Sequence, residues 1–480
     1  MNEAVRCEQT ANAVADWRDR NVVVVGAGVS GLAAARLLLD CGARVTLTDV
    51  LSEHEIPAAV ELTERGLTLV AGEHPSGLWA GVDTAVFSPG IRPDAVVTIE
   101  AQEAGVTILA EIEVAAGLTE APVIAITGSN GKSTVTSMLG AILEEAGLEA
   151  PVCGNIGTPL SAAVRAELNG DSDPDAYVVE VSSFQAHAIR DFHPRFAVIL
   201  NIQPDHLDWH GSLDAYADAK LRVTRNMDAN DWLVYNGDDA ELTARLPKTG
   251  VGLLPFTFEP DEPEPPAAWV GDGKIWWWAG DRKGAVMDVA ELGVIGRHNQ
   301  ANACAAAAVA SLLGLATEPI RAALAGYRAL EHRMEYCGEV GGVRCINDSK
   351  ATNVDASLAA LSGFDRGVWL ILGGRDKGAD FGELLPVLDE RIAAVLLIGE
   401  ATDAIAAALG GQVSLLRCET MEHAVTRALE GATAGDTLLL SPACTSFDQY
   451  ANFEERGGRF KELVAVHAAA GAPSKHPMET

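Results

Sequence analysis

Lysine is scarce in this chain: it occurs nine times in 480 residues, against a formal net charge of −32. So acidic a surface excludes nucleic-acid binding, because a phosphate backbone is gripped by clustered Lys and Arg. Paired cysteines are missing too. The eight cysteines form no CxxC and have no close histidine partners, which points to reduced thiols instead of a zinc site or a disulfide framework. Long apolar runs are also absent. Val22–Val25 and Ala301–Ala316 are too short or too rich in small residues to span a bilayer. The first twenty residues carry Glu3, Arg6, Glu8, Asp16, Arg18, Asp19 and Arg20, leaving no room for the apolar core of a signal peptide. The expectation is a cytoplasmic protein without membrane insertion.

What lysine there is has a pattern. Lys132, Lys220, Lys350 and Lys377 fall inside motifs rich in Gly, Asp and Asn. An acidic protein that handles anionic substrates must place its few cations locally, and this distribution does so.

The length suggests about three domains. Residues 21–110 open with NVVVVGAGVSGLAAARLLLDCGARVTLTD, in which an apolar strand, a Gly turn, an Ala/Leu helix and a second strand make a βαβ unit. A second strand–Gly loop–helix start lies at Ala121–Leu143, and a third at VWLILGGRDKGAD, followed by the buried strands AAVLLIGE and DTLLLSPA. The segment 255–280 breaks the pattern. Its Pro/Glu run reads as a loop, and Lys274–Ala279, with three tryptophans, as a short strand or hairpin on a peripheral insertion.

Two Gly-rich loops carry chemistry. Gly26-Ala27-Gly28-Val29-Ser30-Gly31 follows a strand and opens a helix, so its amides can approach a diphosphate, with Asp49 closing the next strand. Alone, this loop invites a nicotinamide dehydrogenase reading, with glycines that merely serve a tight strand–helix turn as the lesser alternative. The second, Thr127-Gly128-Ser129-Asn130-Gly131-Lys132-Ser133-Thr134, is more specific: it has the G-K-[ST] end of a P-loop, although Ile126 stands where the first glycine would be. Its amides cradle phosphates, Lys132 reaches the β and γ oxygens, and Ser133 can hold Mg²⁺. An ATP site is expected there.

Glu180, at the end of the strand in YVVEVSSFQ, is placed to join Ser133 around the metal, or is merely a solvated strand end. Asp205, His206, Asp208 and His210 follow a strand and precede a helix bearing Lys220. They could ligate a metal, with a zinc hydrolase as the rival, although no HExxH is present. Asn299 and Asn302 share a face on the first turn of an Ala-rich helix, as caps or as nucleotide contacts.

Taken in order, TGSNGKST, EVSSFQ, DHLDWH with AKLR, GRHNQANACAA, LEHRMEY, NDSKATN, GGRDKGADF and SPACTSFDQYANFEERGGRF resemble the motif set of the Mur ligases, roughly from residue 20 to 465. The last two motifs are most similar to those of the D-glutamate-adding member. The resemblance implies three α/β domains: a Rossmann-like UDP-binding domain over 1–110, a central P-loop ATPase domain over 111–329, and a Rossmann-like domain over 330–480 for the incoming amino acid. It implies an ATP-dependent ligase that activates the L-alanyl carboxylate of UDP-N-acetylmuramoyl-L-alanine as an acyl phosphate, which the D-glutamate amine then attacks. Another amide ligase of the same family, or a folylpolyglutamate-type ligase, is the alternative.

By the same resemblance Gly128, Asn130, Gly131, Lys132, Ser133, Thr134, Asn299, Asn302, Arg333 and Asp348 serve ATP. Ser133, Glu180, His206 and Lys220 hold two Mg²⁺ ions, Lys220 as a carbamate, because an ammonium cannot ligate a cation. Lys132, Glu180, His206 and Lys220 make up the catalytic group. Val29, Ser30, Gly31, Asp49, Ser88, Gly90 and Asn155 are assigned to the UDP-sugar, and Lys350, Thr352, Lys377, Ser446 and Phe453 to D-glutamate, whose two carboxylates suit cations and hydroxyls. The implied form is a monomer.

Overall fold

The computed structural model describes residues 16–470 except 249, 259–262, 362, 377 and 389–390. Lys377, the charged residues before position 16 and part of the Pro/Glu run therefore lie outside the described residues. By contacts the chain forms two compact units, Met1–Leu292 with Ala301–Gly326, and Gly293–Gln300 with Tyr327–Thr480.

The first unit holds two sheets. Strands β1 (Asn21–Val25), β2 (Arg44–Asp49), β3 (Thr68–Ala71), β4 (Thr84–Phe87) and β5 (Thr107–Ala110) pair in parallel in the order β3-β2-β1-β4-β5. The valine run of β1 is buried on both faces, as a parallel strand covered by helices must be. The strand order reverses between β1 and β4, and that switch point brings the first Gly loop beside the Ser88 turn. The Ser88 hydroxyl donates to Gly26 O at 3.2 Å.

The second sheet contains β6 (Val123–Thr127), β7 (Val152–Gly154), β8 (Tyr177–Glu180), β9 (Phe196–Ile199), β10 (Trp232–Asn236), β11 (Gly252–Thr257), β12 (Ala267–Gly271), β13 (Lys274–Ala279) and β14 (Arg282–Asp288). Its order is β14-β13-β12-β11-β10-β9-β6-β8-β7. The Trp-rich segment, with the expected strand at Lys274–Ala279, forms the outer edge of this sheet. It supplies antiparallel strands that continue the sheet to its edge, with Trp269 stacked on Trp276 at 5.9 Å and Trp277 buried. One apolar cluster joins the two sheets, running from Val24 and Leu38 through Ile112 and Val114 to Ala125 and Val179.

The second unit holds the third sheet: β15 (Glu335–Val340), β16 (Val343–Asn347), β17 (Val368–Gly373), β18 (Ile392–Ile398), β19 (Leu415–Glu419) and β20 (Thr437–Leu440), in the order β15-β16-β20-β17-β18-β19. Only the β15–β16 pair is antiparallel. No described helix is long and apolar enough to cross a membrane.

Candidate active site

The candidate residues gather at the carboxyl ends of the parallel strands, where open α/β sheets present their loops. In the second sheet the P-loop leaves β6 and leads into the helix Lys132–Glu145. Gly131 caps that helix with φ at 86°, and a Cβ there would sit 2.6 Å from Asn302 Oδ1. The glycine is therefore required twice, for the left-handed backbone and for the approach of Asn302. No side chain caps the helix start, so its first amides face the loop.

Two lysines converge here. Lys132 Nζ donates to Gly128 O at 2.9 Å and to Ser129 O at 2.8 Å, while Lys220 Nζ donates to the same Gly128 O at 2.7 Å. Lys220 is 1% exposed and lies over the Tyr216 ring at 4.4 Å. Burial, and then the Lys132 charge, holds its amine well below the ordinary lysine range, against the weaker pull of Asp205 and Glu180. Glu180, at the end of β8, is buried, not solvated, and its Oε1 accepts from Asn155 Nδ2 at 2.7 Å. Ser133 is buried in the same helix turn as Lys132. The P-loop residues, Glu180, Asn155, Lys220 and Asn302 are thus brought together.

Other polar groups brace this loop without having been singled out from sequence. Asn201 accepts from Asn130 N–H at 2.8 Å and donates back to Asn130 O at 3.1 Å. Ser129 Oγ donates to Gln203 O at 3.0 Å and lies 3.1 Å from Tyr216 OH. The available signal was their place just after the apolar strand AVIL, where polar residues face a ligand edge.

His206 sits in a left-handed backbone position, φ 51°, with its ring 4.8 Å from Phe184. Its Nε2 is 3.5 Å from Asp205. His210 ends the one-turn helix Leu207–His210, stacks on Phe184 at 5.8 Å and meets Ser183 Oγ at 3.0 Å. Among the described residues, the group spaced for a cation is His193, Asp228 and Asp231, away from the expected metal set. Asp231 is already paired with His193 at 2.6 Å and Arg195 at 3.2 Å.

At the first Gly loop, Asp49 is turned onto its own backbone, accepting from Ala27 N–H at 2.6 Å and Leu51 N–H at 2.9 Å. A Cβ on Gly31 would collide with Gly26 O at 1.9 Å, so strand and helix pack closely only with glycine there. Val29 is 73% exposed at the helix start, and Ser30 and Gly90 flank the same edge. A pocket of about 240 Å³ opens nearby, with Ser88, Ile108 and Ala110 on one wall and Phe184, Ile189 and Arg190 on the other. Arg222 and Arg225 add cations.

The second unit carries its own set. Lys350 Nζ lies 4.9 Å over the Phe453 ring, Thr352 N–H donates to Lys350 O, and Ser446 is buried on the loop after β20. Arg456, absent from the expected residues, is 1% exposed and donates to Ser349 Oγ, Ser349 O and Cys444 O, so it ties these loops together. Asp348 accepts from Ser441 Oγ at 3.0 Å and Met334 N–H at 3.2 Å, yet burial pushes its carboxyl up to about 7 despite those bonds and the Arg333 and Arg456 charges. Asn299 Nδ2 donates to Ile295 O at 2.8 Å, on the first turn of the helix Arg297–Leu312.

Family models match along the chain: a Mur ligase MurD-like N-terminal domain over 20–110, a Mur ligase middle domain over 126–310, and a Mur ligase glutamate ligase domain over 332–444. The UDP-N-acetylmuramoylalanine–D-glutamate ligase of Acidobacterium capsulatum is 41% identical over 464 residues, covering 95% of this chain and 98% of that protein. The ligase of the same name from Myxococcus xanthus is 42% identical over 450 residues, with coverages of 93% and 98%. In fold, the MurF ligase of Thermotoga maritima, solved in complex with ADP, superposes with a TM-score of 0.59 at 17% identity, over 98% of this chain and all of that one.

Proposed function

The chain belongs to the Mur ligase family, and from that premise we propose that it joins D-glutamate to UDP-N-acetylmuramoyl-L-alanine at the expense of ATP, a step of peptidoglycan precursor synthesis. A carboxylate resists an amine until one oxygen becomes a good leaving group. Transfer of the ATP γ-phosphoryl group to the L-alanyl carboxylate makes an acyl phosphate. The D-glutamate nitrogen attacks that carbonyl, and the tetrahedral intermediate expels phosphate as the amide forms. Charge neutralisation and alignment are the work left to the protein.

The observation that carries this reading is the pair of lysine amines on one carbonyl, Gly128 O. Lys132 is suited to the β and γ oxygens of ATP, along with the amides of Gly128, Asn130, Gly131, Ser133 and Thr134. Lys220 does not suit a second cation role, because burial favours its neutral amine. A neutral amine adds carbon dioxide and releases a proton, giving an anionic carbamate beside Glu180. Ser133 and Glu180 would hold one Mg²⁺ ion, and His206 with the Lys220 carbamate would hold a second. Magnesium there supplies positive charge to the transferring phosphoryl group. Glu180 also orients the Asn155 amide toward the muramoyl substrate.

The UDP end of that substrate is assigned to Val29, Ser30, Gly31, Asp49, Ser88 and Gly90, and its sugar–peptide end to the adjoining pocket with its three arginines. Asn299, Asn302, Arg333 and Asp348 are assigned to the adenosine part of ATP. Lys350, Thr352, Ser446 and Phe453 take D-glutamate, together with Lys377 from outside the described residues. The three sheets support the domains 1–110, 111–329 and 330–480. We place the enzyme in the cytoplasm, since its three substrates are soluble, and take it as a monomer from the family resemblance.

The test is ADP release with UDP-N-acetylmuramoyl-L-alanine and, in turn, D-glutamate, L-glutamate, L-alanine and meso-diaminopimelate. D-Glutamate alone should sustain turnover. Equal turnover with another amino acid, or amide formation without ATP consumption, would overturn the assignment.

A further inference from the structure

The helix Glu111–Ala116 is buried at every position, and its first turn carries two carboxylates. Ile112 and Val114 are at most 1% exposed, as befits the apolar cluster they join, but Glu111 at 1% and Glu113 at 7% are equally enclosed. Burying a carboxylate is costly unless hydrogen bonds compensate. Two positions apart on a helix, these side chains point to opposite sides and reach different segments.

Glu113 reaches the loop after the helix Ser183–His187. Its Oε2 accepts from Arg190 N–H at 2.8 Å and its Oε1 from Asp191 N–H. The carbonyls of the same loop are held from elsewhere: Asn226 Nδ2 donates to Arg190 O at 2.8 Å and Phe192 O at 3.0 Å, and Arg222 donates to His187 O. Glu111 Oε1 accepts from Ser161 N–H at 2.6 Å, at the exit of the turn bearing Asn155.

The helix grows directly out of β5, whose Ile108 and Ala110 form one wall of the pocket, while Ile189 and Arg190 form the other. Glu113 therefore bonds across from one wall to the other. We propose that Glu113 is a positioning residue for the UDP-sugar: a strut that sets the width of its pocket by tying the first sheet to the 189–192 loop. Glu111 braces the Asn155 turn from the same helix. The inference rests on the substrate assignment above.

Glutamine at position 113 has one acceptor oxygen for two N–H groups and sets its NH2 against the other. Glu113→Gln should weaken UDP-N-acetylmuramoyl-L-alanine binding about tenfold, as expected for losing a bond to a charged acceptor. It should leave the KM of ATP and of D-glutamate within about twofold. Asn226→Ala frees the same loop without burying a charge and should move the same constant in the same direction. Glu167→Gln serves as control, because that carboxylate binds Thr119 and Tyr177 hydroxyls and touches neither pocket wall. Calorimetric titration of the UDP-sugar without ATP gives the affinity, and ADP-release kinetics give the KM values. Unchanged affinity in Glu113→Gln and Asn226→Ala, or an equal rise in the KM of ATP, would overturn the strut. If the wild-type enzyme binds the UDP-sugar but makes no amide with D-glutamate, the functional assignment falls while the affinities still judge the strut. If it binds no UDP-sugar, both fall.

Discussion

Asp348→Asn separates what stability wants at one position from what nucleotide binding wants. The Asp348 carboxyl is buried after β16 and its protonated form is favoured up to about pH 7. An aspartate in the unfolded chain titrates near 3.9. Between those values the folded protein binds more protons than the unfolded one, so the Asp348 contribution to stability falls as pH rises through the window. The full cost, reached above pH 7, is roughly 4 kcal/mol, and about half of it accrues between pH 5.5 and pH 8.

Asparagine removes the titration and keeps the local bonds. Its Oδ1 still accepts from Met334 N–H, and its NH2 can donate to Ser441 Oγ, whose own proton turns to Ser357 Oγ at 3.1 Å. Relative to wild type, the variant should therefore gain about 2 kcal/mol on going from pH 5.5 to pH 8, or some 4–8 °C in the transition that includes the second unit. Scanning calorimetry at the two pH values measures it. The same variant should raise the KM of ATP, since Asp348 is assigned to its ribose. An offset between variant and wild type that is independent of pH would refute the argument that burial dominates this carboxyl.

Lys220→Ala should abolish ligation, and millimolar acetate or formate should restore part of it by supplying the missing anionic oxygens; full activity without them would remove Lys220 from the metal set. Gly131→Ala places a Cβ at φ 86° and 2.6 Å from Asn302 Oδ1. The left-handed backbone alone costs about 1–2 kcal/mol, so the KM of ATP should rise at least about tenfold, and an unchanged KM would show that the loop tolerates a side chain.

The parts of this molecule that were legible in sequence are those in which one residue type answers one local demand. Glycines at tight strand–helix turns, valine runs in doubly covered strands and an Ala-rich helix each encode their element with no knowledge of distant neighbours. Lys132, Ser133, Glu180 and Asn155, named from their motifs and the family resemblance, lie together because a parallel sheet gathers its strand ends on one edge. Buried polar groups whose partners lie far along the chain were not. Arg456 bonds residues over a hundred positions away as well as nearby Cys444, and Glu113 meets a loop 77 positions on, so neither betrays its role by spacing. In the tryptophan segment the strand expected at Lys274–Ala279 is present, but that it and its neighbours extend the existing sheet edge depends on distant partners and could not be read locally.

Lys220 shows why an acidic chain would place one of its nine lysines where a cation gains nothing. The helix Leu213–Leu221 stands across the Tyr216 ring from the P-loop, and the side chain that spans this gap ends on Gly128 O. Aspartate and glutamate, with one and two methylenes, are shorter than lysine with four, so neither reaches as far from that helix. In the mechanism proposed above, an anion at this depth is carried on a longer stem, as a carbamate on the lysine nitrogen. Burial and the neighbouring Lys132 disfavour the ammonium, while Tyr216 covers the stem.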